Sequence, residues 1–290
     1  MLLSDLELKA YAKINLGIDV TGRRDDGYHL VRMVMQSVDI YDTVILKKRD
    51  DDGIGFTCTD ERLQTDDNLC VKAARLFCET TGRRCGTDIR LIKNNPVAAG
   101  MAGGSTDAAA VLKGMAELYD IDISEKELCD IAVSVGADVP FCIHGGTALC
   151  EGIGEVLTPI YGMPECVILV AKPDVQVSTA GIYKKLDGIG EYGHPDIDGI
   201  RTGIESHDIH ALCSRMGNVL ELVTGSEVPE IAVLEDAMME QGACKAMMTG
   251  SGPTVFGIFL DIDDAEKCMH RIKTRGLCSF IKITSMKDRY

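Results

Sequence analysis

One stretch constrains this chain more than any other: Pro96-Val97-Ala98-Ala99-Gly100-Met101-Ala102-Gly103-Gly104-Ser105-Thr106-Asp107 runs without interruption into the segment AAAVLKGMAELY. Alanine, valine, leucine and methionine recur there at helical spacing, so the stretch predicts a glycine-rich loop feeding a helix N-terminus. Glycines let backbone N–H groups come close to a ligand. The first turn of a helix also carries N–H groups without internal partners and a partial positive charge, so residues 100–107 suit a phosphate. The same residues would also serve as a tight turn with Ser105 or Thr106 as an ordinary N-cap. The lysine of the G-x-x-x-x-G-K-[ST] phosphate loop is missing, and no βαβ context supports a G-x-G-x-x-G reading.

Around this block the pattern alternates strands and helices. Residues 8–20 read as a strand, with Ile14, Leu16, Ile18 and Val20 on one face and Lys13, Asn15 and Asp19 on the other. Residues 21–28 are a polar break. Apolar stretches at 32–46 and 89–92 flank a helix expected over 67–80, and a second helix is expected over 124–135, with Ser124 and Glu127 as a capping box and Gly136 at its end. Residues 137–155 read as a short strand, a Gly-Gly turn and another strand. The pattern restarts with the strand VILVAKP, and residues 187–210 read as a loop or irregular linker. Helices around 209–222 and 228–241, the turn and strand MTGSGPTVFGIFL, a helix over 264–274 and a strand over 279–285 complete the chain. The class is α+β, in two halves, 1–160 and 161–290; 290 residues suffice for either one large or two modest domains.

Three further features could carry chemistry. Lys13 and Asn15 share one strand face, as they also would on a plain solvated surface. Asp138 lies at a helix-to-strand junction, where a short carboxylate could equally satisfy turn backbone. Thr249-Gly250-Ser251-Gly252-Pro253-Thr254 is a second glycine-rich turn that could be only a tight connection. One such turn in each half favours an anionic ligand shared by the halves.

Composition narrows the classes. With 45 acidic against 30 basic side chains the chain has a net charge of −15, and the basic residues pair only locally, as at Lys47-Lys48 and Arg83-Arg84. Nucleic acid is therefore not an expected partner, because phosphate neutralisation needs clustered cations. An anionic small molecule can still bind in a local positive pocket. Twelve cysteines without a C-x-x-C pair point to reduced, buried thiols. The charges at Asp5, Glu7 and Lys9 interrupt any leader-like run, and no eighteen-residue apolar run occurs, so a cytoplasmic protein without a membrane partner is expected.

Three blocks, LKAYAKINLGIDVTGRRDDGYH, PVAAGMAGGSTDAA and MTGSGPTVFGIF, resemble in order and spacing the GHMP family of small-molecule kinases. The likeness spans nearly the whole chain, including GADVPFCIHGGTAL, VSTAGIYKKLD and Gly217-Asn218-Val219-Leu220-Glu221. It implies a two-domain fold, with an N-terminal half like ribosomal protein S5 domain 2, a C-terminal α/β plait, and an active site in the cleft. The block AKINLGIDVTGRRDDGYH is similar to members that use ATP and Mg²⁺ to phosphorylate the 2-hydroxyl of 4-diphosphocytidyl-2-C-methyl-D-erythritol, in non-mevalonate isoprenoid synthesis. A homoserine- or mevalonate-type kinase, or a silent nucleotide-binding protein on the same fold, is the alternative.

Carried over from the family, Asp138 accepts or orients the hydroxyl proton, and Lys13 keeps the pair in register and neutralises charge on the transferring group. Pro96, Val97, Ala98, Ala99, Gly100, Met101, Ala102, Gly103, Gly104, Ser105 and Thr106 cradle ATP, with the Ser105 or Thr106 hydroxyl available to Mg²⁺ or a phosphate oxygen. The resemblance assigns no protein ligands to the metal. Tyr28 and Tyr183 stack on the cytosine, His29 with Asn15 reads its polar atoms, and Thr179, Gly250, Ser251 and Gly252 complete the acceptor site. Met101 and Thr106 replace the family's usual Leu and Ser conservatively. Asn95, where an apolar residue is typical, leaves the adenine contacts, including any role of Lys93, unassigned. The resemblance is compatible with a monomer or a homodimer.

Overall fold

The structure is a computed structural model describing residues 5–289. In chain order the elements are β1 (Leu6–Arg23), β2 (His29–Lys48), β3 (Ile54–Cys58), a short 3₁₀ turn, α1 (Leu69–Thr81), β4 (Thr87–Ile92), α2 (Gly103–Leu118), α3 (Glu125–Val133), α4 (Val139–His144), β5 (Thr147–Glu151) and β6 (Val156–Pro159). There follow β7 (Val167–Lys172), α5 (Thr179–Leu186), α6 (Ile197–Glu205), α7 (Ile209–Arg215), β8 (Gly217–Asn218), α8 (Glu221–Glu227), α9 (Glu230–Met239), β9 (Lys245–Met248), β10 (Val255–Phe259), α10 (Ile262–Thr274) and β11 (Phe280–Ser285).

These elements form two compact units, each discontinuous in sequence. The first takes residues 5–12, Ile40–Val97 and Ala102–His144; the second takes Lys13–Asp39, Ala98–Met101 and residues 145–289. The expected halves 1–160 and 161–290 are continuous instead, and the difference arises because the long strands β1 and β2 each carry residues of both units.

In the first unit β4 pairs antiparallel with the distal part of β2 and parallel with β3. Helices α1 to α4 pack on one another around a core that includes Phe77, Leu91, Val111, Met115 and Val139. The alanine run of α2 is wholly buried, and a Cβ added at Gly114 would come within 2.5 Å of Leu46 and 2.7 Å of Leu8. Small side chains let α2 lie close against its neighbours, and that packing fixes the direction of its N-terminus.

In the second unit β11, β7, β10 and β9 form a four-stranded antiparallel sheet in that order, with α9 and α10 packed against it. Strand β10 is buried throughout, as is all of β7 except half-buried Val167, which explains their unbroken apolar runs. The same unit pairs β1 with β8 at Gly17 and Ile18, and β5 with both β2 and β6.

Several local expectations change. Residues 139–144 form a helix rather than a strand, because Pro140 sits in a first helical turn, where its missing N–H costs nothing. Helix α3 has the expected Ser124–Glu127 capping box but ends at Val133 with Ser134 as C-cap, two residues before Gly136. The stretch read as a linker contains α6, capped by the Asp196 carboxylate on the Gly199 N–H and burying Ile197, Ile200 and Ile204. The helix expected over 209–222 is α7, then β8, then α8, because Met216 is extended and Gly217 pairs with β1. All twelve cysteines are free thiols, and none is exposed. Among the described residues no helix is long and apolar enough to cross a membrane.

Candidate active site

Helix α2 begins without a side-chain cap. Its N-cap is Ala102, in the left-handed region at φ 57°, and no side chain bonds to the first-turn amides. The Thr106 amide makes the first intrahelical bond, to the Ala102 carbonyl at 2.9 Å. The amides of residues 103–105 therefore lie at the open end of a sixteen-residue helix, where an anion is favoured. Ser105 and Thr106 lie inside the helix, Thr106 Oγ1 donating back to the Gly103 carbonyl at 2.8 Å, so neither is the N-cap.

The preceding loop prolongs this feature. Ala98, Gly100 and Ala102 all have positive φ, of 50°, 72° and 57°. A left-handed residue next to a right-handed one is the backbone arrangement in which successive N–H groups turn to one side and suit an anion. Each alanine costs about 1–2 kcal/mol in this conformation, strain of the kind that persists where function holds it.

In the second unit the loop is held by the other glycine turn. A Cβ on Gly100 would lie 2.3 Å from the Thr249 carbonyl, and one on Gly250 would lie 2.5 Å from the Gly100 carbonyl. Bare backbone meets bare backbone, so residues 250–252 brace residues 98–101. Lys13 completes the brace: its amide donates to the Met101 carbonyl at 3.2 Å, and its Nζ donates to the Gly100 carbonyl at 3.0 Å and to Asn15 Oδ1 at 2.7 Å. Lys13 and Asn15 are both buried, which settles the solvated-face alternative against itself. Asn15 is also tied to Thr249, its amide donating to Oγ1 at 2.9 Å, and its Nδ2 meets Met33 Sδ. Its contacts thus fix the lysine and the second turn. The Thr179 and Ser251 hydroxyls share a hydrogen bond of 2.8 Å, linking α5 to that turn.

The other acceptor candidates of this unit gather around His29, the first residue of β2. Its ring lies 4.8 Å from the Tyr183 ring, tilted by 34°, and its Nε2 lies 2.7 Å from Asp187 Oδ1. Tyr28, one residue earlier, is 58% exposed. The turn before it is closed by the Arg24 amide on the Tyr28 carbonyl at 2.7 Å.

In the first unit Asp138 directly precedes α4, its carbonyl accepting from the Cys142 amide at 3.1 Å. The turn it closes lies beside the start of α2, where a Cβ on Gly136 would come 3.9 Å from Ser105 Oγ. Pro96 and Val97 are the same unit's last residues before the loop and follow a buried polar network in the chain. Asp42 accepts from the Asn94 and Asn95 amides and from Asn95 Nδ2, and Lys93 bridges Asp42 and Asp107. Burial, followed by the charge of Asp42, pushes Asp107 well above the usual carboxylate range, with Lys93 pulling the other way. Burial pulls Lys93 down, but the two carboxylates outweigh it and hold the ammonium above its ordinary value. Asn95 is thus the partner of Asp42.

Two family models match the chain, the GHMP kinases N terminal domain over residues 68–146 and the GHMP kinases C terminal over residues 200–276. A protein of Lachnospira eligens named 4-diphosphocytidyl-2-C-methyl-D-erythritol kinase is 48% identical over 280 residues, covering 94% of this chain and 96% of its own. This chain belongs to the 4-diphosphocytidyl-2-C-methyl-D-erythritol kinase family of GHMP kinases. It is therefore a kinase, a phosphotransferase. A Clostridium novyi member of the family is 44% identical over 268 residues, covering 92% of this chain and 95% of its own. A solved structure titled 4-(cytidine 5'-diphospho)-2C-methyl-D-erythritol kinase superposes with a TM-score of 0.80 at 28% identity, over 97% of this chain and 99% of that one. The α+β, two-domain GHMP kinase fold is thereby shown.

Within this kinase family frame, some structural partners had been given no role by the sequence. Asn218 Nδ2 donates to the Met248 carbonyl at 3.0 Å and the Gly250 carbonyl at 2.9 Å, and Glu221 Oε2 accepts from the Met248 amide at 2.9 Å. The segment Gly217-Asn218-Val219-Leu220-Glu221 is thus a clamp on the second glycine turn. Asp42 and Asp187 act across 51 and 158 positions of chain, beyond the reach of any local pattern.

Proposed function

We propose that this kinase transfers the γ-phosphoryl group of ATP to the 2-hydroxyl of 4-diphosphocytidyl-2-C-methyl-D-erythritol, the acceptor contained in its relatives' names. The observation that carries the reading is the uncapped start of α2, which follows directly in the chain on the loop of residues 98–101 that Lys13 holds through the Gly100 carbonyl. Free amides at a helix start suit an anionic chain of phosphates. Phosphoryl transfer asks for that and for an aligned nucleophile, with little covalent chemistry from the protein.

In this reading residues 96–106 cradle the ATP phosphates, and Lys13 compensates charge on the group in flight. Asp138 takes up or orients the proton of the acceptor hydroxyl. Asn15 holds Lys13 in place. Tyr28, His29 and Tyr183 receive the cytosine, with Thr179 and residues 250–252 beside them. Mg²⁺, when bound with the nucleotide, screens the repulsion between the β and γ oxygens. Among the described residues no group of three or more His, Cys, Asp or Glu side chains could hold a metal ion. The Ser105 hydroxyl, at the start of α2, is a hard oxygen that fits such an ion carried in by the phosphates.

The test is a coupled assay of ADP release with the cytidylylated acceptor, homoserine and mevalonate in parallel. Turnover with the first alone is expected. Asp138→Asn should lower kcat by about a hundredfold or more while the KM for ATP moves by less than about threefold. Comparable turnover of homoserine or mevalonate would replace the acceptor named here, and an Asp138→Asn enzyme of normal kcat would remove that residue from the mechanism.

A further inference from the structure

His29 is gripped by one face of α5. Tyr183 lies in the helix, and Asp187, four residues on, is its C-cap, its amide bonded to the Tyr183 carbonyl at 3.2 Å. Residues four apart share a helix face, so this single turn presents a ring and a carboxylate side by side. The ring packs on the imidazole, and the carboxylate takes Nε2 at 2.7 Å. The second carboxylate oxygen of Asp187 accepts from Arg23 Nη1 at 3.1 Å. His29 keeps only 12% of its side chain exposed, so its orientation is set by these contacts.

The grip has a chemical consequence. An ionised carboxylate only accepts hydrogen bonds, so the nitrogen facing it must carry the proton. Asp187 stays ionised: the His29 hydrogen bond holds its pKa below the ordinary carboxylate value, and the charge of Arg23 acts in the same direction. In the neutral imidazole Nδ1 is then a bare lone pair, an acceptor. Cytosine and uracil differ at the same ring corner, where cytosine has an amino group that donates and uracil an oxygen that accepts.

We propose that Asp187 is a specificity-determining positioning residue, which locks His29 as the Nε2–H tautomer so that Nδ1 accepts from the exocyclic amino group of the cytosine and refuses the uracil oxygen. This deepens the acceptor assignment above and rests on it. Asp187 acts through His29. Replacing it by asparagine removes the lock, since an amide can offer either its oxygen or its N–H to Nε2, and the ring becomes free to carry its proton on Nδ1.

Two measurements test the proposal. In the first, kcat/KM is compared for the cytidine diphosphate acceptor and its uridine counterpart, with wild-type enzyme, Asp187→Asn and Asp187→Ala. One well-placed hydrogen bond is worth about tenfold, so the preference for cytidine should shrink by about tenfold in both variants. The loss should fall on the acceptor KM, with kcat and the KM for ATP within about twofold. In the second, the ¹⁵N shifts of the His29 ring are read by NMR without substrate. Wild type should show a protonated Nε2 and a lone pair on Nδ1, and Asp187→Asn should show a tautomer mixture. An Nδ1–H tautomer in wild type overturns the proposal, as does an unchanged cytidine preference in both variants. If wild type does not use the cytidine acceptor at all, the acceptor assignment fails instead, while the tautomer measurement still judges Asp187.

Discussion

Gly100 and Gly250 leave one another no room for a side chain, and neither obstacle can be moved by a rotamer. The atoms facing a Cβ on Gly100 are the Thr249 carbonyl at 2.3 Å, the Gly252 amide at 3.0 Å and the Gly252 carbonyl at 3.2 Å, all of them backbone. The φ of 72° adds about 1–2 kcal/mol for any L side chain. Gly100→Ala should therefore lower stability by at least about 2–3 kcal/mol and raise the KM for ATP, since moving the loop also pulls the Gly100 carbonyl off Lys13 Nζ. Ala102→Gly is the contrasting change. It removes the left-handed penalty at the start of α2 but adds backbone freedom worth about 0.5–1 kcal/mol to the unfolded chain. Thermal unfolding should find this variant equal to wild type or slightly more stable. Wild-type stability in Gly100→Ala would show that the two glycine turns do not meet as described.

At the scale of elements, what was legible in the amino-acid sequence was what local contacts decide. The capping box of α3 and the extended run of β1 are stated within a few neighbouring residues, and both are present, but the alternation of β1 does not become alternating burial, since residues 12–20 are buried on both faces. Helix α6 was obscured because Gly199 and Gly203 interrupt the spacing of Ile197, Ile200 and Ile204. The need for a glycine at 203 lies in α7, whose Leu212 amide would sit 2.6 Å from a Cβ there. Of the candidate site, the two glycine turns stood out as motifs, while Lys13 was singled out by the family resemblance. Asp187 and Asp42 could not, since their meaning lies in what touches them. The wedge of α8, α9 and β9 is of the same non-local kind. There Glu221 holds the Met248 amide, while burial and then the neighbouring Glu221 charge push Glu235 up to about 8. Lys245 pulls the other way, and Glu235 Oε1 is buried with no hydrogen-bond partner among the described residues. A carboxyl whose pKa is higher in the folded than in the unfolded chain contributes stability that is complete below about 4.5 and is lost as pH rises to about 8. The melting temperature of wild type should thus fall between pH 6 and pH 9. Glu235→Gln, which cannot ionise, should flatten that slope, and an identical slope in both proteins would remove Glu235 as its source.

Across the whole molecule the charge works against the substrates. The chain carries a net −15, and both ATP and a cytidine diphosphate acceptor are anions, so encounter takes place in a repulsive long-range field. In the proposed reading positive charge is offered only locally, by the amides at the start of α2 in the first unit and by the buried Lys13 in the second. These two ranges respond differently to salt. The Debye length falls from about 30 Å at 0.01 M ionic strength to about 8 Å at 0.15 M, which screens the distant carboxylates before it touches a contact of 3 Å. Adding KCl at fixed saturating Mg²⁺ should therefore raise kcat/KM for ATP by about twofold or more up to 0.15 M, with kcat unchanged, the opposite of an electrostatically steered enzyme. Beyond that range the gain should level off, because what remains is short-range and partly shielded from solvent. A steady fall of kcat/KM from the lowest salt upward would mean that the positive mouth of α2 governs approach from far outside, and that the acidic surface is arranged away from the path the nucleotide takes.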